Sequence, residues 1–276
     1  MQKPLNHIHA VDSGGIQATN TKPLSYHVVD QNLTYTLVKK TTLNQAQKSR
    51  MYELMTQNYI HHTEDLFLKD LDKKQYVGLV HDDQWEIQGF TTYAINPANC
   101  GTENYNIIFS GDTIINPTHW GTQIMSKGWS YTIGMMIKSD LSKNWYWYLM
   151  SKGHRTYLYL PLFFKEFYPS PYPCENDLAL SIIADQTSQK MFHQYWKKDL
   201  GIIRFDESHG ALKTEMTEAT FKKRNSPYIS FFLDRNPGFV NGDELVCIVP
   251  LTPENLIRSA REYCDLGLVD DIENVS

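Results

Sequence analysis

The chain has 276 residues, of which 41% are hydrophobic and 13% aromatic, and its formal net charge is −5 at pH 7. This length and apolar content predict one large domain with room for an extension. The acidic balance offers no basic surface, so nucleic acid is excluded from the expected partners. No apolar run approaches the roughly 20 residues that a membrane helix needs, so no membrane span is expected.

The four cysteines are far apart and form no C-x-x-C motif. This pattern indicates neither a disulfide framework nor a metal site, so we expect a cytoplasmic protein without a metal. The N-terminus has no apolar core of the kind that a signal peptide carries. Residues 1–30 are polar and predict an irregular segment; a metal-binding pair of His7 and His9 is the alternative there.

The first predicted elements alternate between strands and helices. Residues 33–40 are rich in β-forming side chains and predict a strand. The run Thr42–Gln45 has the form of a capping box and predicts a helix after it. Residues 61–65 predict the start of a second helix, because their two acids suit its positive end. Paired strands are predicted over 75–81 and 85–96.

The central stretch predicts a strand, a turn and a helix in direct succession. Residues 105–115 form a largely apolar run that ends at Asn116-Pro117. A short turn leads to residues 122–138, where apolar side chains recur about every four residues, as on a helix with one buried face. A helix that begins at such a turn directs unpaired backbone N–H groups at one point, which favours an anion such as phosphate.

The segment 111–121, with the sequence GDTIINPTHWG, resembles the acyl-CoA-binding motif of the GCN5-related N-acetyltransferase (GNAT) superfamily. In that motif a strand G-D-x-V-V-x-P leads into R-G-x-G-x-G/A and then a helix. The strand part matches, whereas Trp120 stands where the family has Arg or Gln. Gln123 and Met125 stand where the family has small residues, which let backbone amides close on a pyrophosphate.

The order of the predicted elements is also that of the GNAT core. The resemblance implies a GNAT-like mixed, splayed central sheet flanked by helices over residues 31–173. An α+β C-terminal extension over 174–276 would pack on this core, since residues 169–173 contain three prolines that interrupt the chain.

The resemblance also implies the ligands. The donor would be a thioester of CoA or of an acyl-carrier protein, and the acceptor an amine of a small molecule. The backbone at Ile114 and Ile115 would polarise the thioester carbonyl. The predicted donor-binding residues are Ile114, Ile115, His119, Trp120, Gly121, Thr122 and Gln123.

Residues 144–150 are apolar on both faces, which predicts a strand covered on each side. In the GNAT fold this strand splays from residues 105–115, and a helix predicted over 157–168 follows it. The family's Tyr, a proposed acid for the departing thiolate, falls on Phe164. Tyr168, one helical turn later, would replace it.

Two side chains are candidates for the catalytic base. His154 follows the strand across the predicted gap, and an unperturbed histidine titrates near neutral pH. The family register places Ile107, Phe109 and Gly111 on the substrate side of their strand, so Asp112 would face away unless a bulge reverses the alternation. A base relayed through water is also compatible.

The C-terminal part predicts a helix over 177–200 and strands over 228–233 and 244–249. A last helix is predicted from Thr252-Pro253 to Tyr263, because a cap followed by proline favours a helix start.

The leading functional hypothesis is an N-acyltransferase that moves an acyl group from a thioester to an amine. The alternative is a non-catalytic GNAT-like binding or assembly module, which the missing loop glycines and the misplaced tyrosine favour.

Overall fold

The computed structural model describes residues 27–60, 63–100, 103–205, 211–212 and 225–275. His7 and His9 lie outside these ranges, as does most of the segment predicted to be irregular. The last four residues of that segment, His27–Asp30, form a strand.

A mixed sheet runs through the described residues. Its strands are β1 (His27–Asp30), β2 (Leu33–Lys39), β4 (Tyr76–His81), β5 (Ile87–Cys100), β6 (Glu103–Ile115), β7 (Asn144–Ser151), β8 (Trp196–Lys197), β9 (Ile202–Ile203) and β11 (Glu244–Pro250). A separate pair consists of β3 (Tyr59–Ile60) and β10 (Ala211–Leu212). The nine strands of the sheet have the order β1-β2-β4-β5-β6-β7-β11-β9-β8.

Helices cover both faces of this sheet. They are α1 (Gln45–Asn58), α2 (Glu64–Leu71), α3 (Ile124–Ser139), α4 (His154–Tyr157), α5 (Tyr159–Phe163), α6 (Asp177–Phe192), α7 (Pro227–Arg235) and α8 (Arg258–Gly267). Adjacent residues of β6 separate the faces: Ile108 packs in the cluster that includes α3 and α8, and Ile107 in the cluster that includes α6. The predicted fold class, a mixed central sheet flanked by helices, is confirmed.

The parallel pair β6–β7 is the feature that positions the site. Its register runs from Tyr105 opposite Asn144 to Phe109 opposite Tyr148 and ends there. β6 nevertheless continues to Ile115, while the far part of β7 pairs with β11 on its other edge. The two strands are therefore neighbours that part at their C-terminal ends, as predicted.

A buried tyrosine connects the sheet to α3. Tyr35 is 0% exposed, and its hydroxyl lies 2.9 Å from that of Tyr93 and 2.8 Å from that of Thr132. Gly128 of α3 makes room for this ring, since a Cβ there would lie 2.2 Å from it. The backbone of α3 thus rests directly against the sheet, which fixes where the helix begins.

The helix predicted over 157–168 extends only to Phe163. Helix α4 ends at Tyr157, α5 ends at Phe163, and the chain is extended from Phe164 on. Phe164 forms a bridge with Leu256, and Tyr168 forms one with Ile248 of β11. Pairing with distant backbone has replaced local helical bonds, and Tyr168 is not one helical turn beyond Phe164.

Three elements in the C-terminal part also differ from their predictions. Residues 228–233 lie in helix α7, because Pro227 opens it and the buried Ile229, Phe232 and Leu233 have helical spacing. Thr252-Pro253 begins a turn, closed by a bond from the Asn255 amide to the Thr252 carbonyl, and α8 starts at Arg258. The helix predicted over 177–200 ends at Phe192.

The capping box also lies two residues later than predicted. Asn44 Oδ1 accepts from the Gln47 amide, and Gln47 Oε1 accepts from the Asn44 amide. The boundary predicted at residue 173 stays a prediction, and β11 beyond it contributes a strand to the same sheet.

Helices α3 and α8 cross in close contact at two glycines. A Cβ on Gly134 would lie 2.1 Å from the Cys264 carbonyl oxygen, and one on Gly267 would lie 2.0 Å from the Tyr131 carbonyl oxygen. Both obstacles are backbone atoms, which cannot rotate away. The contact holds α8, with Tyr263, beside the first turns of α3.

We predict that Gly267→Ala lowers the free energy of unfolding by about 1–3 kcal/mol or more, because the added methyl separates two packed helices. Urea unfolding measures this change. Asp265→Ala is the matched control on α8, since its side chain is 52% exposed, and it should change stability by less than about 0.5 kcal/mol. Equal stability of the two variants would contradict the close crossing.

Candidate active site

A cavity of about 1660 Å³ passes through the gap between β6 and β7. On the side of α3 and α8 its wall includes Trp129 and Tyr263, and on the side of α6 it includes Asp70 and Phe192. We call these compartments the α3 side and the α6 side. Because the cavity joins them, two ligands can meet in the gap from opposite faces of the sheet.

The predicted donor-binding residues all line this cavity. They are Ile114, Ile115, His119, Trp120, Gly121, Thr122 and Gln123. Two of the predicted catalytic residues, Asp112 and His154, line it as well. Tyr168 is not part of the wall, and its backbone hydrogen-bonds to Ile248.

A bulge in β6 determines where Asp112 points. Ser110 pairs with Tyr93 and Thr113 pairs with Thr91, so Gly111 and Asp112 share one partner position on β5. Such a bulge inserts an extra residue and resets the alternation of side chains. This is the reversal that would bring Asp112 to the side of Phe109.

Contacts with Lys74 show that Asp112 lies on the same side of β6 as Phe109. The Lys74 Nζ lies 4.5 Å from the centre of the Phe109 ring. A Cβ on Gly111 would lie 2.7 Å from the same nitrogen. Lys74 also acts electrostatically on Asp112, as does its ion-pair partner Asp70. Asp112 therefore belongs to the α6 side of the gap.

Asp112 lies within a group of paired charges. Lys74, whose side chain is 1% exposed, is 2.8 Å from Asp70, and Lys152 is 3.3 Å from Glu244. Burial, followed by repulsion from Asp70, raises the pKa of Asp112 to about 6, although both lysines oppose the shift. A carboxylate with this pKa accepts a proton near neutral pH far better than an ordinary aspartate does.

The other predicted base approaches from the opposite strand. His154 is the first residue of α4 and is 2% exposed, and it contributes to the wall just after β7. Asp112 and His154 thus flank the same gap from β6 and β7. The role of either one as a base stays a prediction.

Sequence reasoning missed the partners of Asp112. Asp70 and Lys74 are four residues apart at the end of α2, and this i,i+4 spacing of opposite charges was the available signal. Lys152 directly follows β7 and Glu244 begins β11, two strands that only the sheet brings together. Tyr159 of α5 also lines the cavity and was not among the predicted site residues.

Aromatic side chains form much of both compartments. On the α3 side the rings of Trp129 and Trp147 lie 4.5 Å apart, and the Trp147 indole donates to the Ser110 hydroxyl at 2.6 Å. On the α6 side Phe192 packs against Phe109 and Phe205. Both walls suit ligands with apolar bodies.

Four backbone amides of the loop before α3 donate to acceptors within the loop. The N–H groups of Thr118 and His119 donate to Asn116, and that of Trp120 donates to Pro117. The Thr122 amide donates to the His119 carbonyl at 3.3 Å. Gly121, at φ +94°, makes the turn possible. These amides are directed at the protein itself and not at a common point in the cavity.

A carboxylate from β1 occupies the next amide. Asp30 Oδ2 accepts from the Gln123 N–H at 2.9 Å, and its Oδ1 lies 2.7 Å from Lys127 Nζ. Gln123 is the N-cap of α3, and Lys127 lies in its first turn. The bond with Lys127, more than any other interaction, holds the pKa of Asp30 below its ordinary value.

A tryptophan and an arginine lie together at the same wall. Trp120 is 50% exposed, and its indole donates to the Ile115 carbonyl at 3.3 Å. The Arg155 guanidinium lies 5.1 Å from the centre of the Trp120 ring. Both side chains line the cavity, so a cation is held against an exposed aromatic face there.

Within the described ranges, no group of three or more His, Cys, Asp or Glu side chains is placed to hold a metal ion. Of the helices in those same ranges, none is both long enough and apolar enough to cross a membrane.

No protein-family profile matches the chain, and no curated protein matches it. Among solved structures, it is similar to a probable N-acyltransferase of unknown function from Enterococcus faecalis, with 14% identity and a TM-score of 0.35 over 48% of this chain and 33% of that one. The chain thus spans about a third of that protein. A ribosomal-protein-S5-alanine acetyltransferase from Vibrio fischeri has 13% identity and a TM-score of 0.35 over 52% and 86% of the two chains. A GNAT acetyltransferase from Bacillus anthracis has 12% identity and a TM-score of 0.33 over 55% and 92%.

We predict that Asp112→Asn stabilises the protein at neutral pH. The unfolded chain releases the Asp112 proton near the ordinary pKa of 3.8 and the folded chain at about 6, so wild-type stability falls as pH rises between these values. The neutral amide removes this cost, which we place at about 1–2 kcal/mol because the carboxyl is partly exposed. Urea unfolding near pH 4 and above pH 7 measures the effect, which should vanish at the lower pH. Lower stability of the variant at neutral pH would show that Asp112 serves a structural ion pair.

Proposed function

We propose that the chain is an N-acyltransferase that moves an acyl group from a thioester donor to an amine of a small molecule. The observation that carries this proposal is the cavity through the β6–β7 gap, with Asp112 on its α6 side and the start of α3 on its other side. In acyl transfer the acceptor amine must reach the carbonyl carbon of the donor. A gap through a sheet lets the two substrates approach each other from opposite faces.

The donor would lie in the gap along β6. Among the residues that the structure describes, no strand pairs with this edge of β6 beyond Phe109, so backbone N–H groups between Ser110 and Ile115 face the cavity. Such groups hydrogen-bond a thioester carbonyl and stabilise the negative charge that develops on its oxygen. Ile114 and Ile115 would support the arm of the donor, and the tryptophans Trp129 and Trp147 its acyl chain.

The acceptor would enter from the α6 side. Its amine nitrogen attacks the carbonyl carbon, so that the C–N bond forms and the C–S bond breaks. Asp112 takes the proton that the nitrogen releases, and His154 is the alternative base. The departing thiolate takes a proton from water or from the Tyr159 phenol, which lines the cavity.

The donor pool would be cytoplasmic CoA or acyl-carrier-protein thioester, and a carrier protein would then be a partner. The described cysteines Cys174, Cys247 and Cys264 are free thiols, which supports a reducing compartment. A non-catalytic binding module is the second candidate, because the loop amides are hydrogen-bonded within the protein.

Thiol release from a panel of acyl thioesters with small amines tests the proposal. We predict that kcat/KM rises with pH through about 6, as Asp112 loses its proton. Asp112→Asn should lower kcat by about 10²–10⁴-fold and remove this inflection. The matched control, Asp265→Asn, changes an exposed carboxylate of α8 and should leave both unchanged.

An absence of thiol release with every pair of substrates would contradict the enzymatic proposal. Full activity of Asp112→Asn, with loss of activity in His154→Gln, would instead assign the base to His154.

A further inference from the structure

A single carboxylate neutralises both positive features at the start of α3. Asp30 accepts a hydrogen bond from the Gln123 amide, at the positive end of the helix, and forms an ion pair with Lys127. The two side chains of this pair are only 15% and 20% exposed, so water screens them weakly. Gln123 and Lys127 both line the cavity. An incoming anion would therefore have to displace the Asp30 carboxylate from the Gln123 amide, where a helix start normally attracts it.

Several amides of the adjacent loop are also occupied. A diphosphate is held by several backbone amides that converge on it. Here the amides of residues 118–120, 122 and 123 donate to the loop itself or to Asp30. Binding a diphosphate through these amides would require their bonds to break and Asp30 to withdraw. The Asp30 carboxylate and these occupied amides therefore oppose a diphosphate at this wall.

One cation nearby remains available. Arg155 contacts the Trp120 ring, and among the residues that the structure describes it has no carboxylate partner. An arginine can bind one phosphate with two parallel hydrogen bonds. The charge balance of this wall therefore suits a ligand with one phosphate better than a nucleotide that carries several.

We propose that Asp30 determines donor specificity: it excludes the diphosphate of CoA and restricts the donor to thioesters of 4′-phosphopantetheine, whose single phosphate binds Arg155. This inference rests on the proposed acyl transfer, and it names the donor class. Free acyl-phosphopantetheine and an acyl-carrier protein present the same chemistry, and kinetics separates the two sources.

The first test is the ratio of two affinities, measured by isothermal titration with CoA and with 4′-phosphopantetheine. Wild type should bind phosphopantetheine at least as tightly as CoA. Asp30→Ala should tighten CoA binding about tenfold or more, because it removes a like charge and releases the Gln123 amide. It should change phosphopantetheine binding less than about threefold. Arg155→Gln should weaken phosphopantetheine binding about tenfold or more.

Asp140→Asn is the matched control, because Asp140 caps the opposite end of α3 and pairs with Lys143. It should leave both affinities unchanged. A purely structural Asp30 would alter unfolding without altering the ratio. Asp30→Asn retains an acceptor for Gln123, so it tests the charge in a protein that keeps this bond.

Tighter binding of CoA than of phosphopantetheine by wild type would overturn the inference, as would an unchanged ratio in both Asp30 variants or no binding of either compound. Turnover with acyl-CoA as the better donor would overturn it while leaving acyl transfer intact. Thiol release from no donor would remove acyl transfer itself. A lower KM for acyl-carrier protein than for free acyl-phosphopantetheine would identify the carrier as the source.

Discussion

The separation of β6 from β7 is the constraint on which the rest of the site depends. Parallel pairing holds the strands together as far as Phe109 and Tyr148, and β7 then keeps its other edge paired with β11. The bulge at Gly111 and Asp112 occurs just where the pairing ends. A bulge bends its strand and increases the local twist, so it both opens the gap and aims a carboxylate into it.

The two faces of this gap differ in charge, and the difference has a cost in stability. On the α6 side, Asp112 shares a buried setting with Asp70, Lys74, Lys152 and Glu244, and its ionised form is disfavoured there. Carboxyl groups with such perturbed pKa values are concentrated at functional sites, because a proton acceptor needs a pKa near the working pH. On the α3 side, Asp30 makes the start of the helix nearly neutral, and aromatic rings supply the wall.

The sequence was sufficient for the strand–turn–helix at 105–139, because periodicity and turn residues are local signals. It was insufficient where distant backbone decided the outcome, as at Phe164 and Tyr168, which pair with Leu256 and Ile248. From the sequence, a bulge could be stated only as the condition under which Asp112 faces the gap. The residues around Asp112 do not determine how β6 pairs with β5. Asp30 was hidden for the same reason: 93 residues separate it from Gln123.

A crystal structure with a stable thioether analogue of acyl-phosphopantetheine tests the central claim most directly. The account predicts that the carbonyl of the analogue lies in the gap, hydrogen-bonded to backbone N–H between Ser110 and Ile115, with Asp112 facing it from the α6 side. An analogue bound outside the gap, or with its carbonyl turned away from β6, would contradict acyl transfer at this site.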